Sequence, residues 1–299
     1  MSKSYYQTPT GIASYVYCPR LCYINKSFPY SGKKTKYTVI GLFEHEVLAK
    51  HAELTRLDWL KVKKLTEKST DLERQRIDKV LDFAINISKE NYPHFLDILN
   101  NNLDSLRYRL SILDLKRVDE IRKFEEIGSF SEAVDYVLPW KLEEWLVSEK
   151  YKIRGRADAL YKGYEGTIIV EDIKSHGNRL DAFIHQDEHK AQLTTYAILA
   201  EEKYQMPVKQ VRILYSQDLS VEEFDISDKD KFDLIKIKKK SDKILESGIP
   251  KKLEGEESLK CKHCYRREFC FGLDQRTDDE IRDDVNFEPI GEVWKKEWR

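Results

Sequence analysis

The stretch GRADALYKGYEGTIIVEDIKSHG, residues 155–177, decides how this chain is to be read. Two runs rich in β-branched and aromatic residues, IRGRADALYK (153–162) and TIIVEDIK (167–174), flank the turn-forming GYEG (163–166), the pattern of paired strands. In a strand alternate side chains share a face, so Asp172 and Lys174 point one way and Glu171 and Ile173 the other. If the two runs pair across GYEG, Asp158 approaches Asp172, and the two carboxylates can share a hard divalent cation. Magnesium or manganese suits such oxygen donors and keeps several waters for chemistry. Lys174 then orients, or helps to deprotonate, an attacking water and balances charge near a phosphate. An acid and a lysine two apart are also a common surface pair. The TIIV ahead of them argues otherwise: a strand apolar on both faces is central in its sheet, where charges are costly unless something pairs with them.

Working outward, EEWLVSEK (143–150) reads as a third adjacent strand, and DEHKAQLTTYAILAEEKY (187–204) as a helix closed by Pro207. Two more strands, VRILYS (211–216) and VEEFDI (221–226), follow around a short polar turn, so the pattern is α/β, a mixed sheet with helices packed on it. Upstream, after a short lead-in, a helix is predicted to start near Gly41 and run through FEHEVLAKHAEL. Residues 70–127 carry apolar residues at helical spacing, including Leu96, Leu99, Leu103, Leu106 and Leu110, in a highly charged background. They predict a helical insertion, an antiparallel pair or small bundle whose charges form solvated faces. A lysine-rich amphipathic helix, KDKFDLIKIKKKSDKILESG (229–248), leads to three cysteines.

Composition sets the outer limits. The chain has 299 residues, 40% hydrophobic and 35% charged, enough for a substantial core. No run approaches the roughly 18 apolar residues of a membrane span, and MSKSYYQTPTGIASYVY lacks a signal peptide's basic and apolar regions, so a cytoplasmic location with no membrane partner is expected. A net charge of -1 decides nothing about nucleic acid, because a basic channel can be offset by acidic faces elsewhere. Five cysteines in a chain read as intracellular point to metal or cluster ligation rather than disulfides. Cys18 and Cys22 lie near the start, and Cys261, Cys264 and Cys270 form C-x2-C-x5-C near the end.

Three further residues join the carboxylates. Gln192 and Tyr196 are four apart on the predicted helix and share a face, where an amide and a hydroxyl can contact a phosphate or a base. The plainer reading of Tyr196 is a ring packed on the sheet. His45, within GLFEHE, offers an imidazole as a further metal ligand, although a lone helix histidine is more often a surface or core residue.

Taken in order, His45, GRAD (155–158), EDIK (171–174) and QLTTY (192–196) resemble the RecB-like branch of the PD-(D/E)XK nuclease superfamily, with its early histidine, G-x-x-D strand, acid-x-lysine strand and Q-x-x-x-Y helix. The resemblance implies a restriction-endonuclease-like core sheet flanked by helices and metal-dependent hydrolysis of DNA. Catalysis is assigned to Asp158, Asp172 and Lys174, the metal to His45, Asp158, Asp172 and Ile173, and DNA contact to Gln192 and Tyr196. YVYCPRLCYI (15–24) and CKHCYRREFC (261–270) resemble the iron-sulfur members of that branch, above all the CRISPR-associated exonuclease of spacer acquisition.

That resemblance implies a [4Fe-4S] cluster on Cys18, Cys261, Cys264 and Cys270, stapling the two ends of the chain around the core. Four thiolates also make a structural zinc site; the x5 gap and remote single ligand fit a cluster better. Cys22 is left as an extra, packed thiol. The implied divisions are an N-terminal segment (1–45), the helical insertion (46–142), the nuclease core (143–227) and a C-terminal helix with the cluster region (228–299). The implied function is exonucleolytic trimming of single-stranded or frayed DNA ends, serving CRISPR adaptation with its integrase complex; a homo-oligomer is left open. Two alternatives stand: a repair or recombination nuclease working with a helicase partner, and a non-catalytic DNA-binding scaffold.

Overall fold

The computed structural model describes residues 6–29, 35–62, 68–125, 128–175 and 179–273. Its centre is a five-stranded sheet of order β1-β2-β3-β4-β5, formed by β1 (Lys141–Ser148), β2 (Ile153–Lys162), β3 (Ile168–Lys174), β4 (Val208–Tyr215) and β5 (Ser220–Asp225). β1, β2 and β3 are antiparallel neighbours, β3 and β4 are parallel, and β4 and β5 are antiparallel. A parallel pair needs a crossover, which here is the long helix Arg179–Tyr204. β3 occupies the middle of the sheet and is buried from Ile168 to Ile173, as its two-sided apolar pattern requires.

In chain order the helices are α1 (Pro9–Tyr17), α2 (Pro19–Ser27), α3 (Lys36–Trp59), α4 (Lys68–Asn91), α5 (Leu96–Asn101), α6 (Leu103–Glu125), α7 (Phe130–Val137), α8 (Arg179–Tyr204), α9 (Asp228–Asp242), α10 (Leu259–Lys262) and α11 (Arg267–Leu273). None of the described helices is long and apolar enough to cross a membrane. α8 ends where Gln205 turns left-handed at φ 56, two residues before Pro207.

Three readings of the sequence are corrected. The lead-in is helical, and α1 breaks from α2 at Cys18, whose extended backbone follows from Pro19 disfavouring a helical residue before it. α3 starts at Lys36 rather than Gly41, because the Thr35 hydroxyl accepts from the Thr38 N–H and caps it there. The lysine-rich helix ends at Asp242, short of residue 248, and begins with a capping box between Ser227 and Asp230.

Two of the hydrophobic cores among the described residues bear on the sheet's centre. One lies between the sheet, α1 and α8, with Ile12, Leu160, Val170, Ala197 and Ile213 fully buried. The other joins Val39, Phe43 and Val47 of α3 to Leu99, Leu106 and Leu110 of the insertion, and also to Ile173 and Leu214 of the sheet. A boundary between residues 45 and 46 falls inside α3, and the insertion shares its core with the strand that carries Asp172.

Candidate active site

The site grows from the place where β2 and β3 part. Their ladder runs from Lys162↔Ile168 to Ala159↔Glu171 and stops, so Asp158 and Asp172 stand opposite each other just beyond the last pair. The Ile173 N–H, released from the ladder, is accepted at 2.7 Å by Asp158 Oδ2. On the other side, Leu142↔Ala159 and Glu144↔Ala157 place Glu143 across from Asp158. Glu143, Asp158 and Asp172 thus form one row over three neighbouring strands, and residues in register share a face.

α3 brings the imidazole. A methyl group added at Gly41 would meet Ser175 Oγ at 2.6 Å, so the helix sits directly on the chain leaving β3. Glu44, buried, accepts from Arg109 Nη2 at 2.7 Å and from Ser216 Oγ at 2.6 Å, pinning α3 to the end of β4. His45, next along, has its Nδ1 3.5 Å from Asp158 Oδ2. His45, Glu143 and Asp158 each offer a ligand atom, all within 4.8 Å of one another.

Asp172 and Lys174 share a face as the strand period demands, with Lys174 Nζ 2.7 Å from Asp172 Oδ2. Gln192 of α8 bridges them, its Nε2 donating to Asp172 Oδ1 at 2.9 Å and its Oε1 accepting from Lys174 Nζ at 3.0 Å. Burial pushes the Asp172 carboxyl up against the lowering pull of Lys174. Burial works to neutralise Lys174, but the charge of Asp172 outweighs it and raises the ammonium, making Lys174 a donor rather than a base. In the same way burial opposes protonation of His45, and the Asp158 carboxylate overcomes it and raises the imidazole. Glu143 is raised by burial and then by the Asp158 charge, although Arg156 Nε lies 2.7 Å from its Oε2. Acids set this close to the Asp158 charge suit a cation between them.

Gln192 and Tyr196, the two expected DNA contacts, are largely buried beside the acids, Gln192 between Asp172 and Lys174, and Tyr196 with its hydroxyl donating to the Arg156 carbonyl at 2.8 Å. At Gly155 a side-chain carbon would lie 2.7 Å from Pro9 and 3.0 Å from the Tyr196 ring, which is why β2, α1 and α8 close so tightly around that tyrosine. Glu143 is the residue that sequence reasoning missed. The sequence offers two adjacent glutamates, and the register with the Asp158 strand decides that Glu143, not Glu144, stands across from Asp158.

Four of the five cysteines come together away from these acids. Cys18, Cys261, Cys264 and Cys270 line one cavity with Tyr17, Leu21 and Leu253. Cys18 comes from the α1–α2 break, and Arg20 donates through Nε to Cys270 Sγ at 3.1 Å. Burial, with repulsion from the neighbouring sulfurs, pushes Cys264 up to about 11 and also raises Cys18 and Cys261. Thiols that resist ionising together fit a cationic centre that all of them bind. Cys22 stands apart, buried with its Sγ 3.4 Å from Ser241 Oγ.

Residues 7–271 match the family model of the PD-(D/E)XK nuclease superfamily. The chain is also similar to a solved structure from Eubacterium rectale named as a "Putative exonuclease", at 10% identity over 89% of this chain and 88% of that one, with a TM-score of 0.45. No curated protein sequence matches it.

Proposed function

Because this chain belongs to the PD-(D/E)XK nuclease superfamily, we propose that it is a divalent-cation-dependent DNA exonuclease whose reaction is carried by Asp158, Asp172 and Lys174. The observation that supports this most is the row of acids at the parting of β2 and β3, with an imidazole above it and an ammonium beside it. His45, Asp158, Asp172 and the Ile173 main-chain carbonyl would hold the ion, and magnesium or manganese suits that donor set. When bound, it supplies Lewis-acid polarisation of the phosphate and a more acidic water.

The protein's own groups do the rest. Lys174, kept protonated, donates to the attacking water or to a phosphate oxygen as negative charge develops. Gln192 holds Lys174 and Asp172 in one geometry, so neither spends energy reorganising during reaction. Tyr196 fixes the strand that carries Asp158 by holding the Arg156 carbonyl.

The four-cysteine cavity supports the iron-sulfur branch of the superfamily. In this reading Cys18, Cys261, Cys264 and Cys270 carry a [4Fe-4S] cluster that staples the α1–α2 break to α10 and α11. The substrate is DNA with single-stranded or frayed ends, and the process is prespacer trimming beside a CRISPR integrase complex.

The test is anaerobic purification followed by digestion of end-labelled single-stranded DNA in magnesium or manganese. Wild type is expected to shorten the strand from an end, and Asp158→Asn and Lys174→Met to lose at least about a hundredfold in rate. Brown protein carrying iron, bleached by Cys264→Ala but not by Cys22→Ala, is expected alongside. Wild-type rates in both active-site variants would refute the site, and stoichiometric zinc without iron would refute the cluster.

A further inference from the structure

β1 carries two glutamates side by side, and the sheet treats them differently. Glu144 is satisfied within the fold, its Oε1 accepting from the Tyr204 hydroxyl at 2.6 Å and pairing with Lys203. Glu143 turns to the other face, across from Asp158, and does so with a left-handed backbone at φ 50. A non-glycine residue in that region carries a strain of about 1–3 kcal/mol, which the surrounding sheet has to hold in place. What Glu143 reaches is an aspartate and a histidine, with one ligand atom from each of the three inside 4.8 Å. Its cationic neighbour is Arg156, at 2.7 Å from Oε2, whose side chain is 55% exposed.

We propose that Glu143 is a ligand of the site's divalent cation, shared with His45 and Asp158, and that Arg156 competes with the cation for the same carboxylate. The proposal rests on the cation site put forward above and not on the identity of the DNA substrate. Two oxygen donors and one nitrogen from three different elements meet the first demand of such a site, converging donor atoms of suitable type. An exposed arginine contributes little to stability through an ion pair, so the fold gives up little when Arg156 turns away into water. The carboxylate is less free, its side chain being 30% exposed against 55% for Arg156. Its backbone is fixed across from Asp158, and without a cationic partner the two acids repel each other at short range.

The experiment titrates manganese into the full-length chain by calorimetry, with rates on single-stranded DNA measured in parallel. Glu143→Gln is expected to weaken manganese binding by about tenfold or more, since even the loss of a residue that only supports a ligand costs roughly 10–100-fold. Arg156→Gln is expected to tighten manganese binding, because it removes the competitor. Glu144→Gln serves as the control and is expected to bind manganese as wild type does.

Unchanged manganese affinity in Glu143→Gln overturns the ligand assignment, and unchanged affinity in Arg156→Gln overturns the competition. If Glu143→Gln fails to fold, the Arg156→Gln titration decides by itself: tighter binding supports the proposal and no change sinks it. Wild-type protein that binds manganese through Glu143 yet leaves DNA intact would refute the nuclease reading alone. Cleaving wild type with normal metal binding in Glu143→Gln would refute this inference alone.

Discussion

Glu171 and Asp172 are neighbours on the central strand, both buried, and they lead opposite lives. On one face Glu171 is answered in full: Arg212 Nε lies 2.7 Å from Oε2, the Tyr161 hydroxyl donates to Oε1 at 2.9 Å, and the guanidinium stacks 3.9 Å over the Tyr161 ring. On the other face Asp172 has Lys174 and Gln192, but it looks across at Asp158, and Asp158 at Glu143. The first arrangement is closed, one acid to one base with the remaining lone pair satisfied. The second gathers three acids with only two permanent cations, Lys174 and the largely exposed Arg156, which is a poor way to build a core and a good way to attract a metal ion. A buried acid therefore becomes informative through its partners, not its burial.

The largest expected effect separates the two faces directly. Asp172→Asn should cut DNA digestion by at least about a hundredfold, since it removes charge where the reaction needs it. It also takes the carboxylate partner from the Lys174 ammonium, so a lower thermal midpoint, measured with a chelator present, should accompany the lost activity. Glu171→Gln is expected to cost stability without touching the chemistry. It strands the Arg212 guanidinium, for a loss of about 3–5 kcal/mol in urea unfolding, while the rate per folded molecule stays near wild type. Equal loss of activity in both variants would erase the distinction between the faces.

A third buried acid tests whether the closed type recurs. Asp114 of the insertion accepts from Arg76 Nη2 at 2.8 Å and lies 3.1 Å from His51 Nε2, with Arg117 also near. Burial pulls its carboxyl up, but His51, Arg117 and Arg76 prevail and hold it down to about 2. A depressed carboxyl stabilises the fold at pH above its ordinary value near 4 and loses that contribution as the pH falls toward 2, here about 2 kcal/mol. His51 is depressed by complete burial, so its share begins to be lost as the pH drops below about 6.5. Both act in one direction. Acid unfolding followed by circular dichroism should be shallower below pH 4 in Asp114→Asn, and an unchanged acid limb would remove Asp114 from the closed class.

The smallest effect belongs to Tyr196. Removing its hydroxyl in Tyr196→Phe forfeits one hydrogen bond to the Arg156 carbonyl, for a loss of about 1 kcal/mol in unfolding. Added manganese should not restore the lost stability, since the partner of the hydroxyl is a main-chain carbonyl and not the ion. A large drop in DNA affinity with unchanged stability would make Tyr196 a DNA contact instead.

Much of this was legible in the order of residues. Period two in TIIVEDIK set Asp172 and Lys174 on one face and Glu171 on the other, and the apolar run before them put the strand at the centre of the sheet. Gly, Pro and turn residues marked the strand joins, and leucines at helical spacing marked the insertion. These are local properties, fixed by backbone geometry and side-chain burial within a few residues. What only the tertiary structure decided is who faces whom. Glu143 joins the row through register with a strand ten residues on, Gln192 turns inward because α8 crosses directly over Asp172 and Lys174, and the insertion seats His45 by locking Glu44 to Arg109. Facing depends on the packing of distant elements, and a one-residue slip in register would have exchanged Glu143 for Glu144, so the ladder itself had to be seen.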